Sequence, residues 1–127
     1  MSGYLLDTNI LINLVNNTAH RLSLRVRDLV ATAGVRACVS VVSPWEIAIK
    51  SAAGKLQIDE DVADLPWFIT EIGCTILPMT IEHVLEVAHP EPATRDPFDR
   101  LLLAVCACEG LKLVTTDARL AGHRLVW

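Results

Sequence analysis

Four acidic residues stand at the ends of apolar stretches. Asp7 follows Tyr4-Leu5-Leu6, Glu46 follows Val41-Val42-Ser43-Pro44-Trp45, Asp99 lies within Asp96-Pro97-Phe98-Asp99-Arg100, and Asp117 follows Leu113-Val114-Thr115-Thr116. An α/β fold that ends its strands on one edge would gather these carboxylates from distant parts of the chain. Carboxylates so gathered repel one another unless a cation binds them. Hard oxygen donors suit magnesium or manganese, which keep several waters and also take substrate phosphate, so few protein ligands suffice. One or two such ions would polarise a nonbridging phosphate oxygen, lower the pKa of an attacking water and stabilise the leaving oxygen, which is the chemistry of phosphodiester hydrolysis.

Each acid also has an ordinary explanation, because Asp and Glu are favoured at helix N-termini. Glu46 forms a capping-box pattern with Ser43, and Asp117 is placed to cap a helical turn. Asp96 is best read as the cap of its helix, whereas Asp99, one turn in, is as well explained as a ligand. Asp7 is the least ordinary, since Thr8 or Asn9 could cap the following helix without it. Capping does not explain why four such acids share one edge, with Lys50, Arg95 and Arg100 as the neutralising residues near them in sequence.

The elements that must position these acids alternate. Gly3 to Leu6 reads as a buried strand, and Thr8 to Val15 carries Ile10, Leu11, Leu14 and Val15 at helical spacing. Leu22, Val26, Leu29, Val30 and Ala33 make the apolar stripe of a second helix that stops at Gly34. Ala37 to Val42 is a strand, and Ser43-Pro44-Trp45-Glu46 opens a helix running from Pro44 to Ala53. A helix through Trp67, Phe68 and Ile72 ends at Gly73, Cys74 to Leu77 is a third strand, and Thr80 caps a helix through Val87. His89-Pro90-Glu91-Pro92 is a loop. Asp96 caps the clearest helix, with Pro97 first and Leu101, Leu102, Val105 and Cys108 on one face until Gly110. Leu111 to Thr115 is a strand, Asp117 to Ala121 a helical turn, and Arg124 to Trp127 an edge strand. This order predicts a mainly parallel sheet covered on both faces, with ligands at the carboxyl ends of its strands, where all four acids fall.

The 127 residues form one predicted domain, 1–127. An apolar fraction of 52% and a mean hydropathy of +0.40 suit a doubly covered sheet or a partner-binding patch. No apolar run reaches the roughly 18 to 20 residues of a membrane span, and Met1-Ser2-Gly3-Tyr4 lacks the basic start of a signal peptide, which points to the cytoplasm and away from a membrane. Cys38, Cys74, Cys106 and Cys108 lack zinc spacing and read as reduced core residues. The histidines lack ligand spacing and read as surface or capping residues. A net charge of −4 opposes broad attraction to nucleic acid, yet a bound divalent ion would reverse the field at the acids, and Arg21, Arg25, Arg27, Lys50 and Lys55 could hold phosphates locally. Neither a Gly-rich phosphate loop nor a Gly-x-Ser-x-Gly turn is present.

Four segments taken together resemble the PIN-domain nucleases, particularly the VapC-like toxins of bacterial toxin-antitoxin pairs. They are Tyr4-Leu5-Leu6-Asp7-Thr8-Asn9, Trp45-Glu46-Ile47-Ala48-Ile49-Lys50, Arg95-Asp96-Pro97-Phe98-Asp99-Arg100-Leu101-Leu102 and Leu113-Val114-Thr115-Thr116-Asp117. The resemblance implies a three-layer α/β/α sandwich and a magnesium- or manganese-dependent endoribonuclease, with one or two ions, leaving 3′-hydroxyl and 5′-phosphate ends. By position, Asp7, Glu46, Asp99 and Asp117 are similar to the metal-binding quartet. Thr8, Asn9, Thr115 and Thr116 would support them or touch phosphate, and Asp96 resembles a subfamily feature outside the primary ligands. Where similar sequences often carry a histidine ahead of Arg95, this chain has Thr94. The family further implies a homodimer and a VapB-like antitoxin that docks near the active site and alone contacts operator DNA. Trp45, Trp67 and Phe68 are candidates for that groove, although core packing is the preferred reading for any one of them.

Two other readings lead elsewhere. A PIN nuclease without an antitoxin would process RNA, and a receiver-type signalling domain would also be a small α/β fold with an acidic pocket. The receiver design needs a phosphoacceptor Asp after a mid-chain strand and a Lys after a late one, and neither is well placed here.

Overall fold

Successive side chains of each strand point to opposite faces, and in this chain both faces are apolar, so the sheet must be buried from two sides. The computed structural model describes residues 3–32, 36–86 and 94–127. Four short strands, β1 (Gly3–Leu6), β2 (Ala37–Ser40), β3 (Thr75–Leu77) and β4 (Leu111–Val114), form one all-parallel sheet in the order β3-β2-β1-β4. Leu6, Val39 and Val114 pack on one face against α1 (Thr8–Val15), α2 (Leu24–Ala31), α3 (Val42–Ala52) and α4 (Leu65–Glu71). Leu5 and Leu113 pack on the other against Leu102, Leu103, Val105 and Cys106 of α6 (Pro97–Glu109). A short α5 (Ile81–Glu86) lies against α6. The predicted three-layer α/β/α sandwich is thus observed.

The chain runs outward from β1 through β2 to β3, then returns to place β4 on the other side of β1. The strand order therefore reverses between β1 and β4, and a crevice opens beyond their carboxyl ends. Register there is fixed from Gly3↔Leu111 to Leu6↔Val114, and the Asp7 amide donates to the Val114 carbonyl at 2.9 Å. Gly3 permits this approach, because a Cβ there would meet Leu111 Cδ2 at 2.9 Å and the Arg36 carbonyl at 3.2 Å.

Several predicted boundaries move. Helix α3 begins at Val42 instead of Pro44, because Ser40 Oγ accepts from the Val42 amide at 3.1 Å and starts the helix early. Ser43 is therefore inside the helix and caps nothing, and Pro44 still falls in the first turn, where its missing N–H loses no helical bond. The predicted edge strand Arg124–Trp127 reduces to one bridge, Leu113↔Val126, on the free side of β4. Cys74 and Cys106 are buried thiols, pushed up by burial to about 11 and about 12, and Cys38 is half-buried. Cys108 is exposed, because the buried stripe of α6 runs through Leu102, Leu103, Val105 and Cys106. His83 is a capping histidine but no surface one: it is buried, its Nδ1 accepts from the Thr80 amide at 3.1 Å, and Nε2 meets Glu109 Oε1 at 2.8 Å. Gly34, the end of the fifth helix at Val87 and the loop His89-Pro90-Glu91-Pro92 lie outside the described residues. Among the described residues no helix is long and apolar enough to cross a membrane.

Candidate active site

Asp7 ends β1 and caps α1: its Oδ1 accepts from the Thr8 amide at 2.7 Å. Its other oxygen accepts from the Thr115 hydroxyl at 2.6 Å, a bond that ties the end of β1 to the loop after β4. Both oxygens are thus oriented, while the side chain is almost wholly buried. Burial raises the Asp7 carboxyl above its usual range, against the pull of Thr115 and the Thr8 amide, and the charges of Glu46 and Asp117 raise it further. Thr8 supports the site through its backbone, and its buried hydroxyl meets Ser43 Oγ at 2.9 Å. That contact joins α1 to α3 and shows what Ser43 does in place of capping.

Glu46, 8% exposed, lies on α3 and pairs with Lys50 one turn later. Its capping explanation falls with that of Ser43, so its burial beside Asp7 needs another. Lys50 is raised by that hydrogen bond first, and the more distant charges of Asp96 and Asp99 add to it. Asp99 sits in the first turn of α6, and Asp96 is the cap predicted for that helix, accepting from the Phe98 amide at 2.9 Å. Burial pushes Asp99 up to about 6, helped by the charges of Asp96, Asp7 and Asp117 in that order. Asp96 thus serves as a helix cap and adds its charge to the field at Asp99. Thr94, where the resemblance placed a histidine, is buried, donates to Asp99 Oδ2 at 3.3 Å and accepts from the Asp96 amide at 3.1 Å. Its hydroxyl is a positioning group that sequence reasoning left unassigned.

Asp117 follows β4 and caps the 3-10 turn Ala118–Leu120, its Oδ1 accepting from the Arg119 amide at 2.9 Å. Its own amide donates to Thr115 Oγ1 at 3.0 Å, so one threonine serves two of the acids. The Arg119 guanidinium holds the Asp117 carboxyl below its usual range. Arg119 also stands 3.6 Å from Asp99 Oδ2. Sequence reasoning named Lys50, Arg95 and Arg100 as neutralisers and missed Arg119. Its one signal was a position two residues after Asp117 in a turn, where a capping aspartate and the second residue share a face. Arg100 instead donates to the Thr94 carbonyl at 3.2 Å.

The structure therefore brings Asp7, Glu46, Asp99 and Asp117 to one crevice, with Thr8 and Thr115 in the network. Asn9 and Thr116 are exposed, and their side chains join no hydrogen bond among the described residues. Of the three candidate groove residues, Trp45 is 54% and Trp67 65% exposed, and Phe68 packs against the core. Trp45 meets the Phe98 ring edge-on at 5.2 Å, and these two rings each precede an acid of the site.

Such an oxygen-rich, desolvated and mutually repelling set suits a hard divalent cation. Asp7 and Asp99 are raised by burial first and by neighbouring carboxylate charge second, so their ionised forms are disfavoured there. In the arrangement seen, Glu46 is engaged by Lys50 and Asp117 by Arg119, and among the described residues no three groups are drawn tightly enough to enclose an ion.

Residues 4–124 match the family described as PIN domain. The chain belongs to the PIN-domain family. PIN domains are generally nucleases that use divalent ions, in keeping with the acids at this crevice. Among solved structures the PIN domain is similar to a "Toxin-antitoxin complex from Klebsiella pneumoniae", at 18% identity and a TM-score of 0.64 over 98% of this chain and 96% of that one. That likeness describes the fold. No curated protein matches the chain significantly in sequence.

Proposed function

We propose that this PIN domain is a magnesium- or manganese-dependent endoribonuclease and the toxin of a VapBC-type toxin-antitoxin pair, acting in the cytoplasm as one domain over residues 1–127. The observation that carries the nuclease reading is the convergence of Asp7, Glu46, Asp99 and Asp117 at the β1/β4 switch point, with Asp7 and Asp99 held above their ordinary pKa range.

Asp7 and Asp99 would be the principal metal ligands, with Glu46 and Asp117 completing the set. When bound, one or two ions would supply charge neutralisation of the phosphate and an acidified water. The chain's own contribution is orientation and exclusion of water. Thr115 and the Thr8 amide fix both oxygens of Asp7, Thr94 holds Asp99, and the Thr8–Ser43 contact keeps α3, and so Glu46, against α1. Thr116 and Asn9, both exposed, would touch substrate phosphate.

An antitoxin partner is supported by the similarity to a structure described as a toxin-antitoxin complex, and by two exposed tryptophans, Trp45 against the Phe98 ring and Trp67 next to half-buried Phe68 in α4. Such a partner would carry any contact to operator DNA. A homodimer is supported by α5, which leaves Ile81, Val84 and Leu85 exposed. The receiver alternative loses ground, since β2 is followed by Val41 and α3, with no acid at its end.

The test is cleavage of RNA by the purified protein with Mg2+ or Mn2+. Activity that EDTA stops and that Asp7→Asn abolishes, with an unchanged circular dichroism spectrum, is the expected outcome. Full cleavage by Asp7→Asn would reject the site. Co-purification with the product of a short adjoining reading frame separates a toxin from an RNA-processing enzyme.

A further inference from the structure

Arg119 stands in the exposed turn after β4, yet its side chain is directed wholly at the acids. Nε donates to both Asp117 oxygens at 3.1 Å, Nη2 donates to Oδ2 at 2.7 Å, and Nη2 stands 3.6 Å from Asp99 Oδ2. The guanidinium thus lies between two carboxylates brought from different elements and does there what a bound cation would do. It does so from solvent: the Arg119 side chain is 63% exposed, and pairs so exposed are weak. A divalent ion carries twice the charge in a smaller radius and seeks the same oxygens, so the two cations compete.

Arg119 comes directly after Asp117 and Ala118, two residues that line a cleft of about 420 Å³. Thr115, Thr116, Arg25 and Trp127 also line that cleft. Arg25 lies over the Trp127 ring at 3.7 Å, so the cleft already carries a positive charge on an aromatic face. A planar fork of donors freed beside the acids is the form of group that takes phosphate with two parallel hydrogen bonds.

We propose that Arg119 is a substrate-phosphate ligand of this nuclease site, held on Asp117 and Asp99 until a divalent cation takes their oxygens. The phosphate half rests on the nuclease reading above; the competition with metal does not.

Arg119→Gln removes the charge, and Arg36→Gln, just ahead of β2 at the amino end of the sheet, removes an equal charge away from the acids. Calorimetric titration of the RNA-free proteins with Mn2+ should find R119Q binding about three- to tenfold tighter than wild type and R36Q, since an exposed but multiply bonded pair is lost. Equal or weaker affinity would overturn the competition, and a merely structural arginine would not tighten it. At saturating Mn2+, kcat/KM for RNA should fall about 10- to 100-fold in R119Q, and the slope of its logarithm against log salt should shrink by about one. Wild-type rates with an unchanged slope would overturn the phosphate role. A wild-type protein that cleaves no RNA would overturn the nuclease reading and the phosphate role together, while tighter Mn2+ binding in R119Q would still uphold the competition.

Discussion

Replacing Asp99 by Asn should make the metal-free protein more stable at neutral pH while destroying its metal site. Burial and the charges of Asp96, Asp7 and Asp117 push the carboxyl from 3.8 up to about 6. A shift of that size corresponds to about 3 kcal/mol of strain in the ionised form. The side chain keeps a solvent-facing edge and the guanidinium of Arg119 near it, so screening reduces this to about 1–2 kcal/mol. The unfolded chain loses this proton near 3.8 and the folded chain near 6, so between those values the folded state binds more protons. Wild-type stability therefore falls as pH rises through that window, and the full penalty is present above it. The carboxamide of the D99N variant titrates nowhere in this range, and its oxygen still accepts from Thr94.

Thermal unfolding in EDTA at pH values from about 4 to about 8 reads the difference. D99N should melt close to wild type at the acid end and about 4–7 °C higher at the neutral end. Adding Mn2+ should raise the wild-type melting temperature and leave D99N unmoved. A variant less stable than wild type at neutral pH, or a difference that does not change with pH, would refute the claim that this carboxylate is held under electrostatic strain.

Thr115→Val removes the hydroxyl that donates to Asp7 and accepts from the Asp117 amide while keeping the volume. Mn2+ affinity and RNA cleavage should each fall by about 10- to 100-fold, as is usual for groups that orient ligands, and an unaltered Mn2+ titration would remove Thr115 from the site. Leu102→Ala, at a fully buried position between α6 and the sheet, should cost about 2–5 kcal/mol in urea unfolding with or without metal. A loss under about 1 kcal/mol there would mean that the α6 face is not the core described above.

How far the chain could be read without coordinates depended on the range of the interaction concerned. Helix α6 was legible to the residue, because Asp96, Pro97 and the left-handed Gly110 are local signals written within the segment they bound. Strand β1 and helix α1 were equally plain, since a short buried apolar run gives way to helical spacing at Asp7. The start of α3 was misread because Ser43 offers a good cap by local rules, whereas its hydroxyl is committed to Thr8, 35 residues earlier. Cys108 and His83 were misplaced for a like reason: which stripe of a helix is buried depends on what packs against it.

The acids divide along the same line. Their type and their places at element ends were determined by the sequence alone, as was the order of strands and helices that sends them to one edge. What only the tertiary structure decided is which groups hold them there. Thr115 reaches Asp7 across 108 positions, Thr94 turns to Asp99, and Arg119 bridges acids from two elements. A carboxylate's burial and charge surroundings are properties of the assembled crevice, and the parallel pairing of β1 with β4 creates that crevice.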